Sequence, residues 1–256
     1  MTSSIVDTAE LIAAEHRAGK DFHTLDGLPD LATAYRVQKA YVGGDLGGDR
    51  IAGYKIGLTS RRMQAMCGID HPISGAIFAR RVLSSGVKLC ATDYRHLGLE
   101  FEICARLGSD LSPRKAPYVR DEMHAAVDAV CAAVELVDDR HADYAVLDCK
   151  SLVADNSWNA GVVLGAFVAP PSALESVEGV AYQNGSEIGR GRGADALGHP
   201  FEPLVWLVNH LAAQGEGLKK GDIVMTGSIV TTRFPQGAFN YRFDVTGLGS
   251  VEVSGT

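Results

Sequence analysis

Apolar positions recur along this chain at two spacings. In the first fifty residues the spacing is helical. Leu11, Ile12 and Ala14 share a stripe of a helix over 4–18 with Ser4 at its cap. Leu31, Ala34, Tyr35, Gln38 and Tyr41 follow Asp30 in a second helix, which Gly43-Gly44 ends. Past the Gly47-Gly48 connector the pattern becomes strand-like and Gly-punctuated. Strands are predicted at 53–58, 73–78, 82–90, 97–107, 132–138 and 162–168. A hairpin is predicted from 179 to 190 around Asn184-Gly185, and further strands at 222–226, 239–246 and 250–254. Three helices interrupt them: a short one capped by Ser60 with Met63 and Met66, one over 121–131, and one over 202–213. Strands and helices do not alternate regularly, which argues against a doubly wound parallel sheet. The pattern predicts an α+β fold, with an N-terminal helical segment at 1–48 and a β-rich body at 49–256, the two integrated as one domain or separate.

Composition narrows the function. A net charge of -7 without a basic run argues against nucleic acid or an anionic membrane as partner. The first residues lack a basic and apolar leader, and no apolar run approaches a membrane span. Five scattered cysteines without a CxxC pair fit reduced thiols, so a cytoplasmic location is expected.

The run Leu97-Gly98-Leu99-Glu100-Phe101-Glu102-Ile103-Cys104 carries the most chemistry. Side chains alternate faces along a strand, so Leu97, Leu99, Phe101 and Ile103 form a core face and Glu100 and Glu102 share the other, roughly 7 Å apart by strand rise. A solvated acidic edge strand would look the same. Glu135 shifts the balance, because it lies in the apolar run Cys131–Val137, where an unpaired carboxylate costs several kcal/mol. Three carboxylates from two strands suit Mg²⁺ or Mn²⁺, whereas the eight histidines are dispersed and give no zinc spacing. Lys55, Thr59 and Ser60 lie in a Gly-flanked strand and the turn after it; a surface lysine is the alternative there. Thr226-Gly227-Ser228 ends a strand with hydroxyl and backbone N–H donors suited to a carboxylate, or forms an ordinary turn. Gly189–Gly193 mimics a phosphate loop but lacks the strand-to-helix context. Asp70 and His71 are acid–base candidates or plain turn residues.

Several segments together resemble the 2-keto-4-pentenoate hydratase and 4-oxalocrotonate decarboxylase group of the fumarylacetoacetate hydrolase superfamily. They are GYKIGLTSRRMQAMCGI (53–69), LGLEFEI (97–103), AAVELVDDR (132–140), LVADNSWNAGVVLG (152–165), ALGHPFEPLVWLVNHLAAQGEGLKKGDIVMTGS (196–228) and GLGSVEV (247–253). The resemblance implies a mixed β-roll or sandwich of the superfamily's C-terminal-domain type. It implies Mg²⁺ or Mn²⁺ held by Glu100, Glu102 and Glu135, with Lys55 near the substrate. Thr226-Gly227-Ser228 would hold the substrate carboxylate. It further implies a homo-oligomer acting on a small 2-keto acid, in aromatic-compound catabolism and associated with a pathway enzyme. The expected reaction is hydration of a 2-hydroxy-2,4-dienoate or 2-oxo-enoate. Alternatives are decarboxylation of a 2-oxo-3-enedioate, C–C hydrolysis of an acylpyruvate, and a non-catalytic assembly subunit. Lys55 and Asp70 are the catalytic candidates; Thr59, Ser60, Thr226, Gly227 and Ser228 are the substrate-binding ones. Two departures stand out: Ile73-Ser74 occupies the position of an acid followed by an aromatic, and Asp143-Tyr144-Ala145 replaces a Trp-Lys pair after Asp139-Arg140.

Overall fold

The structure, a computed structural model, describes residues 4–45 and 47–256; positions 1–3 and 46 of the expected 1–48 segment lie outside the described residues. In chain order the elements are α1 (Ile5–Arg17), α2 (Leu31–Asp45), β1 (Ile51–Gly57), α3 (Arg61–Met66), β2 (Ile73–Phe78), β3 (Val82–Ser84), β4 (Val87–Leu89), β5 (Leu97–Leu107), α4 (Arg120–Ala126), β6 (Val127–Asp138), α5 (Cys149–Ala154), β7 (Asn159–Leu164), β8 (Glu178–Gln183), β9 (Ser186–Arg192), α6 (Phe201–Ala213), β10 (Ile223–Arg233), β11 (Phe239–Val245) and β12 (Gly249–Gly255).

The strands form two mixed sheets. A seven-stranded sheet runs β2-β1-β10-β5-β6-β7-β3, and a five-stranded sheet runs β4-β12-β11-β8-β9. The pairs β1/β10, β3/β7 and β4/β12 are parallel and the remaining neighbours antiparallel. The alternation read at β5 decides how the sheets stack. Leu99, Phe101 and Ile103, with Ala132, Val134 and Leu136 of β6, face Tyr241, Phe243, Val251 and Val253 of the second sheet, and α6 closes this core with Phe201, Leu204 and Leu207. Each large side chain buried there contributes about 1.5–3 kcal/mol. On the opposite face Ile12, Val37 and Tyr41 of the N-terminal helices pack against Ile73 and Phe78 of β2 and Leu152 and Val153 of α5. The N-terminal segment therefore shares a core with the body. The His16–Asp155 contact (2.5 Å) and the Phe22 N–H to Arg140 carbonyl bond (2.8 Å) reinforce it, with Asp155 held in turn by its buried ion pair to Arg140 (2.5 Å). Among the described residues no helix is long and apolar enough to cross a membrane.

Four sequence expectations shift. The helix expected over 121–131 stops at Ala126, because Val127–Cys131 extends β6. Val127, Val130 and Cys131 are buried, and their ladder with Cys104–Leu107 outweighs the local helical spacing. The strand expected at 82–90 is two strands. Gly86, at φ +87°, turns the chain so that β3 pairs in one sheet and β4 in the other. The strand at 162–168 instead spans Asn159–Leu164, with Val168 in an isolated bridge to Val130. The strand at 222–226 runs on to Arg233, because Gly227 makes a bulge rather than an end. Helix α5 has no counterpart in the sequence reading, and the Gly189–Gly193 run lies in β9 and the turn after it.

Candidate metal centre and active-site cavity

β5 is a central strand, flanked by β10 and β6, so its glutamates stand inside the sheet and not at an edge. Glu100 stands opposite Glu135 across the β5/β6 ladder, and Ser228 of β10 stands opposite Glu102. Glu102 and Glu135 are fully buried and Glu100 is half-buried. Their carboxylate oxygens converge to within 4.8 Å of one another, closer than the roughly 7 Å expected from strand rise alone.

Each carboxylate is held from one side. The Gly227 N–H donates to Glu102 Oε2 (2.8 Å), the Thr232 hydroxyl to Glu100 Oε1 (2.9 Å), and the Asn159 side-chain amide to Glu135 Oε1 (2.9 Å). The buried Lys55 ammonium lies 3.2 Å from the same Glu135 oxygen. Lys55 comes from β1, Gly227 and Thr232 from β10, Glu100 and Glu102 from β5, Glu135 from β6 and Asn159 from β7. Five consecutive strands thus furnish one patch of sheet.

Electrostatics leave the patch short of positive charge. Burial pushes the Glu102 carboxyl well above the carboxylate range, and the charges of Glu135 and Glu100 push it further against the Gly227 N–H and Lys55. Burial likewise raises Glu135 to about 7, although Lys55 and Asn159 pull it down. For Lys55 burial favours the neutral amine, but the facing charges of Glu135, Glu100 and Glu102 outweigh it and hold the ammonium above its ordinary value. Two fully buried oxygens, Glu102 Oε1 and Glu135 Oε2, have no hydrogen-bond partner among the described residues. Such orphaned anionic oxygens cost several kcal/mol unless something meets them. With all three carboxylates ionised beside one ammonium, as a bound cation would require, two negative charges remain, the amount a divalent cation neutralises, and an all-oxygen donor set suits Mg²⁺ or Mn²⁺. The residues present therefore fit such an ion.

Above the patch opens a cavity of about 650 Å³ lined by Lys55, Glu100, Thr59, Ser60, Ser228 and Asp139, among others. Two segments read separately in the sequence meet at its floor. Gly227 has φ +104°, and a Cβ there would lie 2.1 Å from Thr59 Oγ1, so only glycine allows β10 to approach the turn after β1 while aiming its N–H at Glu102. Ser60 accepts from the Met63 N–H as the N-cap of α3 (3.3 Å). Thr226 is buried and donates to the Ile103 carbonyl (2.8 Å), so its hydroxyl serves the strand ladder and does not line the cavity. Asp70 is exposed outside the cavity, where its carbonyl accepts from Arg61, and His71 stacks on Trp206.

Several lining or supporting residues gave no sequence signal. Asn156, Ser157 and Trp158 all have left-handed backbones (φ +50°, +50°, +59°), a strain of about 1–3 kcal/mol each. The Asn156 side chain exchanges two hydrogen bonds with the Ala76 backbone (2.7 and 2.9 Å), and the Ser157 hydroxyl donates to the Ser74 carbonyl (3.0 Å). These anchors hold the run that turns Ser157 and Trp158 toward the cavity and delivers Asn159 to Glu135. On another wall the Tyr144 hydroxyl donates to Asp139 Oδ2 (2.9 Å), and Asp139 Oδ1 meets His96 Nδ1 (2.7 Å). A strained Asn before an apolar strand, and a carboxylate directly after β6, are the clues that could have marked these two groups.

Comparison with known proteins follows the same lines. A family model described as fumarylacetoacetate (FAA) hydrolase C-terminal matches residues 74–254. A 2-keto-4-pentenoate hydratase of Burkholderia vietnamiensis is 32% identical over 265 residues, covering 99% of this chain and 98% of its own. A 4-oxalocrotonate decarboxylase of a Pseudomonas species is 30% identical, covering 88% of this chain and 84% of its own. The solved structure of 4-oxalocrotonate decarboxylase from Pseudomonas putida G7, complexed with magnesium and adipate, superposes with a TM-score of 0.91 at 27% identity over 98% of this chain and 97% of that one.

Proposed function

Because the chain belongs to the fumarylacetoacetate hydrolase family, we propose that it is a divalent-metal-dependent lyase that adds water to a 2-hydroxy-2,4-dienoate or the 2-oxo-enoate derived from it. The observation that carries this reading is the convergence of Glu100, Glu102 and Glu135 with two buried oxygens left unpartnered. These three residues would hold Mg²⁺ or Mn²⁺. Once bound, such an ion supplies Lewis acidity, lowering the energy of negative charge on the keto oxygen of a 2-keto acid.

The chain's own groups do the rest. Gly227, Thr232 and Asn159 fix the three carboxylates from behind. Lys55, paired with Glu135, acts as a fixed positive charge beside the reacting carbonyl. Thr59 and Ser60 line the cavity as donors for the substrate carboxylate; the Ser228 hydroxyl borders the same cavity but donates to the Val230 carbonyl (2.6 Å). Met63, Trp158 and Phe234 give the substrate chain an apolar wall. Gly227 serves by positioning Glu102 and Thr226 by holding the strand ladder; Asp70, outside the cavity, takes no part.

The sequence similarity to a named hydratase over almost the whole chain supports hydration. The superposition on a decarboxylase complexed with a dicarboxylate supports the second reading, decarboxylation of a 2-oxo-3-enedioate. One assay separates them. Enzyme stripped with a chelator and reloaded with Mg²⁺ is mixed with 2-hydroxypenta-2,4-dienoate, and loss of dienol absorbance is followed. Metal-dependent loss of absorbance is expected. Carbon dioxide release from a 2-oxo-3-enedioate with no reaction of the dienoate would favour the decarboxylase. No metal-dependent activity on any 2-keto acid would reject both and favour a non-catalytic subunit.

A further inference from the structure

Adding water to carbon needs a base beside the incoming water, and the metal patch offers none that is free. Lys55 is committed to Glu135, and the three glutamates are turned toward one another. Asp139 lies on the wall of the same cavity with a side chain only 3% exposed. Its Oδ1 accepts from the His141 N–H (3.0 Å) and meets His96 Nδ1 (2.7 Å); since a carboxylate only accepts, the hydrogen sits on Nδ1. Among the described residues its Oδ2 accepts from the Tyr144 hydroxyl alone (2.9 Å), and a carboxylate oxygen accepts two donors. One acceptor position on Oδ2 is thus left on a carboxylate that lines the cavity.

The supports are themselves braced. The His96 ring is stacked on His141 and on Phe234, with centroids 4.4 and 4.5 Å away. The Tyr144 ring packs edge-on against Trp158. Burial, then Asp139, raise the Tyr144 phenol above its ordinary value, so it stays a donor, and Tyr144 and Glu100 line the same cavity.

We propose that Asp139 is a catalytic residue of this chain, the base that orients and deprotonates the water added to the 2-oxo-enoate, with Tyr144 and His96 as its positioning residues. This rests on the hydratase reading above and deepens it. In the step, the water oxygen forms a bond to C4 and its proton passes to Asp139. The C3=C4 π bond breaks, and its electron pair moves through C2 onto the keto oxygen. C3 then takes a proton from solvent while Asp139 returns its own, so one water is consumed and a 4-hydroxy-2-oxo acid is released. A carboxylate on this wall also repels a second substrate carboxylate, which favours a dienoate with a neutral distal end over an enedioate.

The test uses the full-length Mg²⁺-loaded enzyme, Asp139→Asn and Tyr144→Phe. Three quantities are read: hydration of 2-hydroxypenta-2,4-dienoate, deuterium exchange at C3 of 2-oxopentanoate in D₂O by NMR, and calorimetric binding of 2-oxopentanoate. The exchange needs enolisation at the carbonyl but no added water. Asp139→Asn is expected to lower hydration about a hundredfold or more while exchange and binding stay within about threefold of wild type. Tyr144→Phe, which leaves the ring in place and removes one hydrogen bond, is expected to lower hydration about tenfold with the same split. Hydration preserved in Asp139→Asn overturns the proposal. So does exchange or binding falling in step with hydration, which marks Asp139 as a turn-holding residue. If Asp139→Asn does not fold, Tyr144→Phe decides by the same criteria. A wild type that neither hydrates nor exchanges overturns the lyase reading instead, an outcome distinct from failure of Asp139, which leaves wild-type exchange intact.

Discussion

Replacing Glu102 by Gln should change stability in opposite directions with and without metal. In the metal-free protein Glu102 is fully buried, one of its oxygens has no partner, and its neighbours Glu135 and Glu100 oppose its charge. Two ionised carboxylates whose oxygens lie within 4.8 Å repel by at least about 3.5 kcal/mol at an effective dielectric of about 20. A glutamine of the same shape still accepts from the Gly227 N–H and carries no charge. Metal-free Glu102→Gln is therefore expected to be about 1–3 kcal/mol more stable than wild type, much of the repulsion being relieved already by protonation. Metal reverses the order. Mg²⁺ at about a hundred times its dissociation constant stabilises a protein that binds it only when folded by about 2.7 kcal/mol, or about 5–10 °C for a chain of this size. Wild type should show that gain and Glu102→Gln should not. Scanning calorimetry of both proteins in chelator and in Mg²⁺ measures all four midpoints. A wild type that melts at the same temperature in both buffers, or a variant that gains as much as wild type, refutes the argument that these carboxylates converge on a cation.

Three further outcomes follow from particular contacts. Gly227→Ala places a Cβ 2.1 Å from Thr59 Oγ1 at φ +104° and should lower stability by about 1–3 kcal/mol; metal titration should also show weaker binding, because the N–H held on Glu102 must shift. Arg140→Met leaves Asp155 buried with only the part-exposed His16 beside it and should cost about 3–5 kcal/mol in urea unfolding with little change in m-value. His210 is depressed to about 4 by burial and then by His71. Between its ordinary 6.5 and about 4 the unfolded chain takes up a proton that the folded chain refuses, so its contribution to stability is present above 6.5 and lost as pH falls through that window. Its size is about 1–2 kcal/mol after allowing for partial exposure, and His210→Gln should flatten the pH–stability curve there.

What could be read from the chain, and what could not, divides by the range of the interaction. Alternation along Leu97–Cys104 places Glu100 and Glu102 on one face, because face is a local property of a strand. It says nothing about strand order, so an acidic edge and a buried metal patch read alike until β10 and β6 are seen on either side of β5. The end of α4 differs from the sequence expectation for a related reason. Val127–Cys131 carries a spacing that fits a helix, and only pairing with Cys104–Leu107 makes it a strand. The turns at Thr59 and Gly227 read as separate segments, and their mutual contact depends on a parallel β1/β10 pairing between residues far apart in sequence. Asn159 lay inside a quoted motif without a role, since its reach to Glu135 depends on three left-handed residues that no periodicity announces.

The same division separates the two halves of the site. The groups facing one another over the metal patch come from five adjacent strands, where a shifted register would move every carboxylate to the opposite face. The groups that would choose a reaction come from the connections: Thr59 and Ser60 after β1, Asp139 and Tyr144 after β6, Ser157 and Trp158 before β7. A sheet can keep its charge cluster while its loops exchange an acid, a hydroxyl or an aromatic ring, because loop residues carry few ladder bonds and change at less cost to the fold. Proteins named for hydration and for decarboxylation can accordingly match this chain at nearly the same identity. The discriminating information lies in the few loop side chains that meet the far end of the substrate. In this chain the loop after β6 presents Asp139 to the cavity, supported by a phenol and an imidazole, and no lysine. A carboxylate there favours water over a second carboxylate, so it is the loop, and not the metal patch it shares with both kinds of relative, that points to hydration.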